Sequence, residues 1–252
     1  MSGAFSDHFA PVAASYAAFR PNYPPELYAW LASRVPEHEL AWDCAAGSGQ
    51  ATLGLAGHFS RVLATDASRA QVEAAPPHPR VSWRVAQAQN SGLPDASADL
   101  IAVAQALHWF DLDAFYAEVR RVLKPGGVLA VWTYGVIHVE GPDLDARVQV
   151  FYRDTVGPYW PPERRHVESG YRTLAFPFDE IAAPAFAMQA AWSLDELLGY
   201  LRSWSATGRY VAARGDDPVA ALRRELEPLW GAPQAKRAIG WPLSLRAGRM
   251  PE

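Results

Sequence analysis

Two glycines, Gly47 and Gly49, stand one residue apart after the apolar run Leu40 to Trp42 and before the helix-like stretch Leu53-Gly54-Leu55-Ala56. Glycine has no Cβ, so a strand-to-helix turn built on it can take positive φ and let a ligand approach the backbone closely. The helix that follows points unpaired N–H groups at the same spot. Asp66 ends the next apolar run, Arg61-Val62-Leu63-Ala64-Thr65. A carboxylate at the tip of a second strand is placed to accept both hydroxyls of a ribose. The glycine pair alone says little, because a tight turn needs glycine with or without a ligand. Glycine turn, helix, strand and acid together point to a nucleoside.

The dinucleotide fingerprint asks for a third glycine three positions after the second, where helix and strand press together beneath a pyrophosphate. Thr52 holds that position, and Ala45 stands where a first glycine belongs in one register. A nucleoside ligand without phosphates fits better. These residues resemble the first motif of the class I S-adenosylmethionine-dependent methyltransferases of the type 11 group, acid-x-Gly-x-Gly-x-Gly. Asp43, Ala45, Gly47 and Gly49 align with it, Ala45 being a departure. The resemblance implies S-adenosyl-L-methionine as cofactor, S-adenosyl-L-homocysteine as product, and Asp43, Ala45, Gly47, Gly49 and Asp66 as cofactor contacts. It also places Gln87 and Ala88, at the end of the third strand, against the adenine, and Gln105 at the ligand edge of the fourth. A glutamine carbonyl can accept from the adenine amine where these enzymes commonly carry an acid.

The elements that must position these residues alternate regularly. Strands are expected at 40–44, 61–65, 81–86, 99–104 and 128–133, with helices at 27–35, 50–57, 68–74 and 112–122. Such alternation predicts a mostly parallel sheet with right-handed crossovers, whose ligands bind beyond the carboxyl ends of the strands. A sixth strand over 185–192, helices starting at Ser193 and over 218–229, and an alternating strand from Ile239 to Leu245 complete the pattern. The resulting expectation is an α/β fold, a Rossmann-like and mostly parallel seven-stranded sheet with helices on both faces. Similar enzymes run the last strand antiparallel. The turn Leu123-Lys124-Pro125-Gly126-Gly127 resembles one common in the same superfamily and is read as structural. One methyltransferase domain over 1–252 is expected: arm and helix 1–35, cofactor core 36–134, inserted cap 135–180, closure 181–252.

The arm, Phe5 to Pro25, is rich in aromatics and proline. Tyr16 followed by Arg20-Pro21-Asn22-Tyr23-Pro24, together with His108-Trp109, resembles the trans-aconitate methyltransferase-like subgroup. That likeness makes Tyr16 and Arg20 lid residues over the cofactor, with Tyr23 beside the substrate. Trp109, Trp132 and Tyr134 are expected at the substrate edge of the sheet, and Trp160 in the cap. In such enzymes the methyl group arrives already electrophilic, so the protein need only hold a nucleophile in line at about 3 Å and exclude water. A carboxylate would attack unaided. A hydroxyl, amine or carbon acid must lose a proton, and His108 has the ordinary pKa for a base. A lone histidine beside tryptophan is as readily a packed, hydrogen-bonded residue.

Composition narrows the partners. A net charge of -4 and a pI near 6.0 offer no general attraction to nucleic acid. The single cysteine, Cys44, leaves no internal disulfide and no multi-cysteine metal site. No basic region followed by an apolar core is visible in the first residues, and no apolar run is long enough to span a bilayer, so a cytoplasmic protein acting on a small molecule without a metal is expected. Two other readings stay open: an NAD-dependent oxidoreductase, and a binding protein that keeps the nucleoside pocket without turnover.

Overall fold

The structure, a computed structural model, describes residues 21–250. Tyr16 and Arg20 lie outside the described residues. The parallel core consists of β1 (Leu40–Cys44), β2 (Arg61–Asp66), β3 (Val81–Val85), β4 (Ala98–Ala104) and β5 (Leu123–Tyr134), in the order β3-β2-β1-β4-β5. Helices α1 (Pro25–Ala32), α2 (Gln50–Ala56), α3 (Arg69–Ala74) and α4 (Leu112–Val122) accompany it. β1, β2, β4 and β5 are apolar on both sides because both faces are covered, whereas the edge strand β3 is largely exposed. Ala41, Leu100, Ala102, Val128, Ala130 and Trp132 pack with α1 and α2. Trp42, Cys44, Ile101, Val103, Leu129 and Val131 pack with Phe115, Val119 and Val122 of α4. Asp111 caps α4 by accepting from the Ala114 N–H at 3.2 Å.

After β5 come the two-residue β6 (His138–Val139), α5 (Pro142–Val150), a π-helical turn Phe151–Thr155, a 3-10 turn Gly157–Tyr159, α6 (Arg164–Glu168) and the two-residue β7 (Asp179–Glu180). The chain continues through β8 (Phe186–Trp192), α7 (Leu194–Arg202), α8 (Ser205–Arg214) and α9 (Pro218–Trp230) to β9 (Arg237–Arg249). Ser193 opens α7 with a reciprocal capping box to Glu196. β9 is antiparallel to both neighbours: β5 and β6 pair along one edge, β7 and β8 along the other. Nine strands are present among the described residues, but the sheet is seven positions wide, since β6 and β7 only prolong the edges of β9. The expected architecture is therefore the observed one: an open Rossmann-like sheet, mostly parallel, closed by an antiparallel last strand.

The turn before the main body of β5 is held by charge. Lys124 Nζ lies 2.9 Å from Asp99 Oδ1, 2.9 Å from Glu37 and 3.0 Å from Glu39. Asp99 Oδ2 in turn accepts the N–H groups of Glu39 and Leu40 at 2.8 Å. This fixes the start of β1 against β4 and β5 at the end of the sheet away from the glycines, in keeping with a structural role.

Candidate functional site

The carboxyl ends of β1, β2, β4 and β5 build the site. Asp43 is wholly buried in β1, and Thr52 of α2 donates its hydroxyl to Asp43 Oδ2 at 2.5 Å. Thr52 thus replaces the fingerprint's third glycine for a local reason, because a buried carboxylate needs a donor. Asp43 Oδ1 has no hydrogen-bond partner. Burial raises the Asp43 pKa to about 7, with the nearby Asp66 charge adding to the rise and the Thr52 bond opposing it.

The turn itself is left-handed at three positions: Ala45 (φ 56°), Gly47 (φ 55°) and Gly49 (φ 98°). The two glycines are required for different reasons. A Cβ on Gly49 would stand 2.6 Å from the Trp83 ring, so packing within the protein demands glycine there. A Cβ on Gly47 would meet nothing nearer than Gln71 Oε1 at 3.9 Å, so its backbone faces open space. Ala45 bears the strain that a glycine would avoid.

Asp66 Oδ2 accepts the Gly47 N–H at 2.9 Å, and Oδ1 accepts the Ser68 N–H at 2.8 Å. One carboxylate therefore locks the glycine turn to the tip of β2. Asp66 is half-buried at the strand tip, where a carboxylate can accept from a diol. Gln87 is exposed and its Oε1 takes the Gln89 amide at 2.7 Å, while Ala88 is half-buried. Gln50 Nε2 donates to the Pro21 carbonyl, tying the first described residues to the glycine turn.

On the β4–β5 side, Gln105 is left-handed (φ 60°) and accepts the Thr133 hydroxyl at 2.9 Å, while its own Nε2 is buried without a partner. His108 Nδ1 lies 3.1 Å from the Tyr171 hydroxyl, and its ring stacks on Trp109 with centroids 4.7 Å apart. Burial, then the charges of Arg164 and His166, push the His108 pKa down to about 4. The expectation that His108 has the ordinary pKa of a base needs correcting: a group with that conjugate acid is neutral at pH 7 and a feeble proton acceptor.

A second correction concerns β5, which runs through Tyr134 rather than ending before it. Trp132, Thr133 and Tyr134 are all buried, so they do not stand free at the substrate edge. Trp132 meets Tyr23 edge-on at 5.6 Å, and its indole N–H has no acceptor. Trp109, by contrast, is 41% exposed. Trp160 packs against Tyr152 and Trp204, with the Arg164 guanidinium 4.7 Å above its ring and its own buried Nε1 unpartnered. Arg164 Nε also donates to the Tyr152 hydroxyl at 2.9 Å, and Tyr152 donates to Glu168 at 2.5 Å.

Tyr171 is the neighbour of His108 that sequence reasoning missed. It follows Gly170 in a segment without periodicity, and no motif marks it. Among the described residues no cluster of three or more His, Cys, Asp or Glu could hold a metal, and no helix is long and apolar enough to cross a membrane.

This sheet order, glycine turn and pair of strand acids are those of an open Rossmann-like domain, and the chain belongs to the methyltransferase domain family, whose profile matches residues 42–131. A protein of Dictyostelium discoideum, provisionally named a methyltransferase, is 36% identical over 226 residues, 88% of this chain and 86% of that protein. The methyltransferase cfoB of Aspergillus candidus is 31% identical over 210 residues, 70% of this chain and 64% of cfoB. A solved structure from Anaeromyxobacter dehalogenans, provisionally assigned as a type II methyltransferase, is 48% identical with a TM-score of 0.89, covering 93% of this chain and all of that one. Family membership sets aside the oxidoreductase reading.

Proposed function

We propose that this enzyme moves a methyl group from S-adenosyl-L-methionine to a small-molecule acceptor. The observation that carries this reading is Asp43 Oδ1, a fully buried carboxylate oxygen without a donor, directly before a left-handed glycine turn. A cationic ammonium is the partner that such an oxygen lacks. The place of Asp66 at the tip of β2 suits a ribose diol, and the open backbone at Gly47 admits a ligand at contact distance. The residues present therefore fit an adenosyl amino acid. Gln87 and Ala88 would meet its base, and Gln105 would stand near the amino-acid end.

The cofactor supplies the chemistry, a methyl group on a cationic sulfonium that needs no further activation. This chain's residues bind, orient and exclude water, effects able to contribute several kcal/mol. Trp109 offers an exposed ring to a cation, whereas Tyr23 is buried against Trp132. The acceptor would be enclosed between His108 and Trp109 of the sheet edge and Trp160 of the segment 135–180, read as a cap. The finer likeness to the trans-aconitate methyltransferase-like subgroup rests on Arg20-Pro21-Asn22-Tyr23-Pro24 and His108-Trp109. Titration of intrinsic tryptophan fluorescence tests the cofactor: S-adenosyl-L-methionine and S-adenosyl-L-homocysteine should both saturate the signal and NAD should not. Saturation by NAD alone would overturn the proposal. Labelled cofactor incubated with a metabolite extract should then yield a labelled small molecule.

A further inference from the structure

Tyr171 is wholly buried and left-handed (φ 63°), a conformation that costs a non-glycine residue of order 1–3 kcal/mol and persists where surroundings over-determine it. The surroundings do so here. Its N–H donates to the His166 carbonyl at 2.8 Å, and its carbonyl accepts from Arg246 Nη1 of β9 at 2.9 Å. The preceding Gly170 (φ 59°) cannot be larger, since a Cβ would stand 2.6 Å from Ser244 Oγ. Helix α6 and strand β9 thus aim one phenol at the end of β4.

The hydrogen bond of that phenol oxygen is to His108 Nδ1, at 3.1 Å. Burial raises the Tyr171 pKa, so the phenol keeps its proton at pH 7. A buried hydroxyl proton needs an acceptor, and His108 Nδ1 is the one this bond supplies. A neutral imidazole that accepts at Nδ1 carries its proton on Nε2, and Nε2 has no partner among the described residues.

We infer that Tyr171 is a positioning residue that locks His108 as its Nε2–H tautomer, so that the site offers the methyl acceptor a hydrogen-bond donor and not a base. The inference builds on the proposed methyl transfer for its meaning, but its test needs neither cofactor nor acceptor. Burial first, then the nearby Arg164 guanidinium and the His166 ring, oppose its protonation and keep the donor neutral. An acceptor matched to this site presents an oxygen lone pair to His108 and needs no proton removed by it.

Two-bond nitrogen–proton NMR correlation on the full-length unliganded protein at pH 7 reads this directly, with His108 identified by its loss in His108→Gln. The expected wild-type pattern is a single tautomer, protonated at Nε2, with Nδ1 at the position of a hydrogen-bonded acceptor. In Tyr171→Phe, Nδ1 should move to the unbonded position and the two tautomers should mix. If Tyr171→Phe does not fold, the wild-type tautomer alone decides. Protonation at Nδ1 in the wild type, or an Nδ1 resonance unmoved by Tyr171→Phe, would overturn the assignment.

Discussion

Replacing Asp43 by Asn separates the cost of the buried acid from its use. A rise from 3.8 to about 7 means that the charged form is disfavoured in the folded protein by about 4 kcal/mol, at roughly 1.4 kcal/mol per pH unit. The sign follows from linkage. A carboxyl whose folded pKa is raised contributes its full stability below 3.8 and loses it as pH climbs through about 7. Unliganded wild-type protein should therefore lose stability between pH 4 and pH 8 from this group, and Asp43→Asn should lack that slope. The amide keeps an acceptor for Thr52 but places an N–H₂ where Oδ1 stood, at a cost of about 1–3 kcal/mol if unpartnered. The expected result at pH 8 is a variant about 1–3 kcal/mol more stable than wild type, with the advantage gone or reversed at pH 5. Binding should move the other way. Losing a charge-assisted bond to an ammonium costs about 1.5–3 kcal/mol, so affinity for S-adenosyl-L-homocysteine should fall about ten- to a hundredfold. Urea unfolding at both pH values and calorimetry with the ligand provide the numbers. Parallel pH profiles for the two proteins, with equal affinities, would refute the reasoning that ties the buried charge to the ligand.

Asp66→Asn should weaken S-adenosyl-L-homocysteine binding by at least tenfold in calorimetry, and cost about 1–2 kcal/mol of stability through its bonds to Gly47 and Ser68. Ala45→Gly relieves a left-handed alanine and should stabilise the protein by about 0.5–1 kcal/mol in denaturant unfolding, the glycine's greater unfolded-state freedom offsetting part of the gain. Glu118 is held down to about 2, burial being outweighed by its bonds to Arg121 and Ser91. Its stabilisation is complete above 4.5 and is lost as pH falls towards 2. Glu118→Gln should cost about 3 kcal/mol at pH 7 and much less near pH 2, as read by thermal unfolding across that range.

Where sequence signals were local, they specified the structure closely. The alternating runs located β1 to β4 within a residue or two, and Ser193 with Glu196 marked the start of α7. Where placement depended on partners distant in sequence, the signal failed. β9 extends from Arg237 to Arg249 because β5 and β7 pair with its far end, not because its own sequence alternates that far. α8 was invisible, since Ser205–Arg214 has little apolar periodicity. The cofactor side was legible because glycines and acids sit at fixed offsets along one βαβ unit. The acceptor side was not. Tyr171 meets His108 across a separation of 63 positions, and the burial that makes His108 a poor base comes from residues brought in by the fold.

The pairing of β9 along both its edges also bears on how the chain is made. Until Arg237–Arg249 leave the ribosome, β5 presents an unpaired edge and β8 has no sheet to join, and Tyr171 lacks the Arg246 brace that holds it. Long-range pairing of this kind is slow to form, and an open strand edge invites association with other chains. Synthesis interrupted just short of residue 237 would thus release a chain whose β5 segment has no partner on that edge and is open to its neighbours.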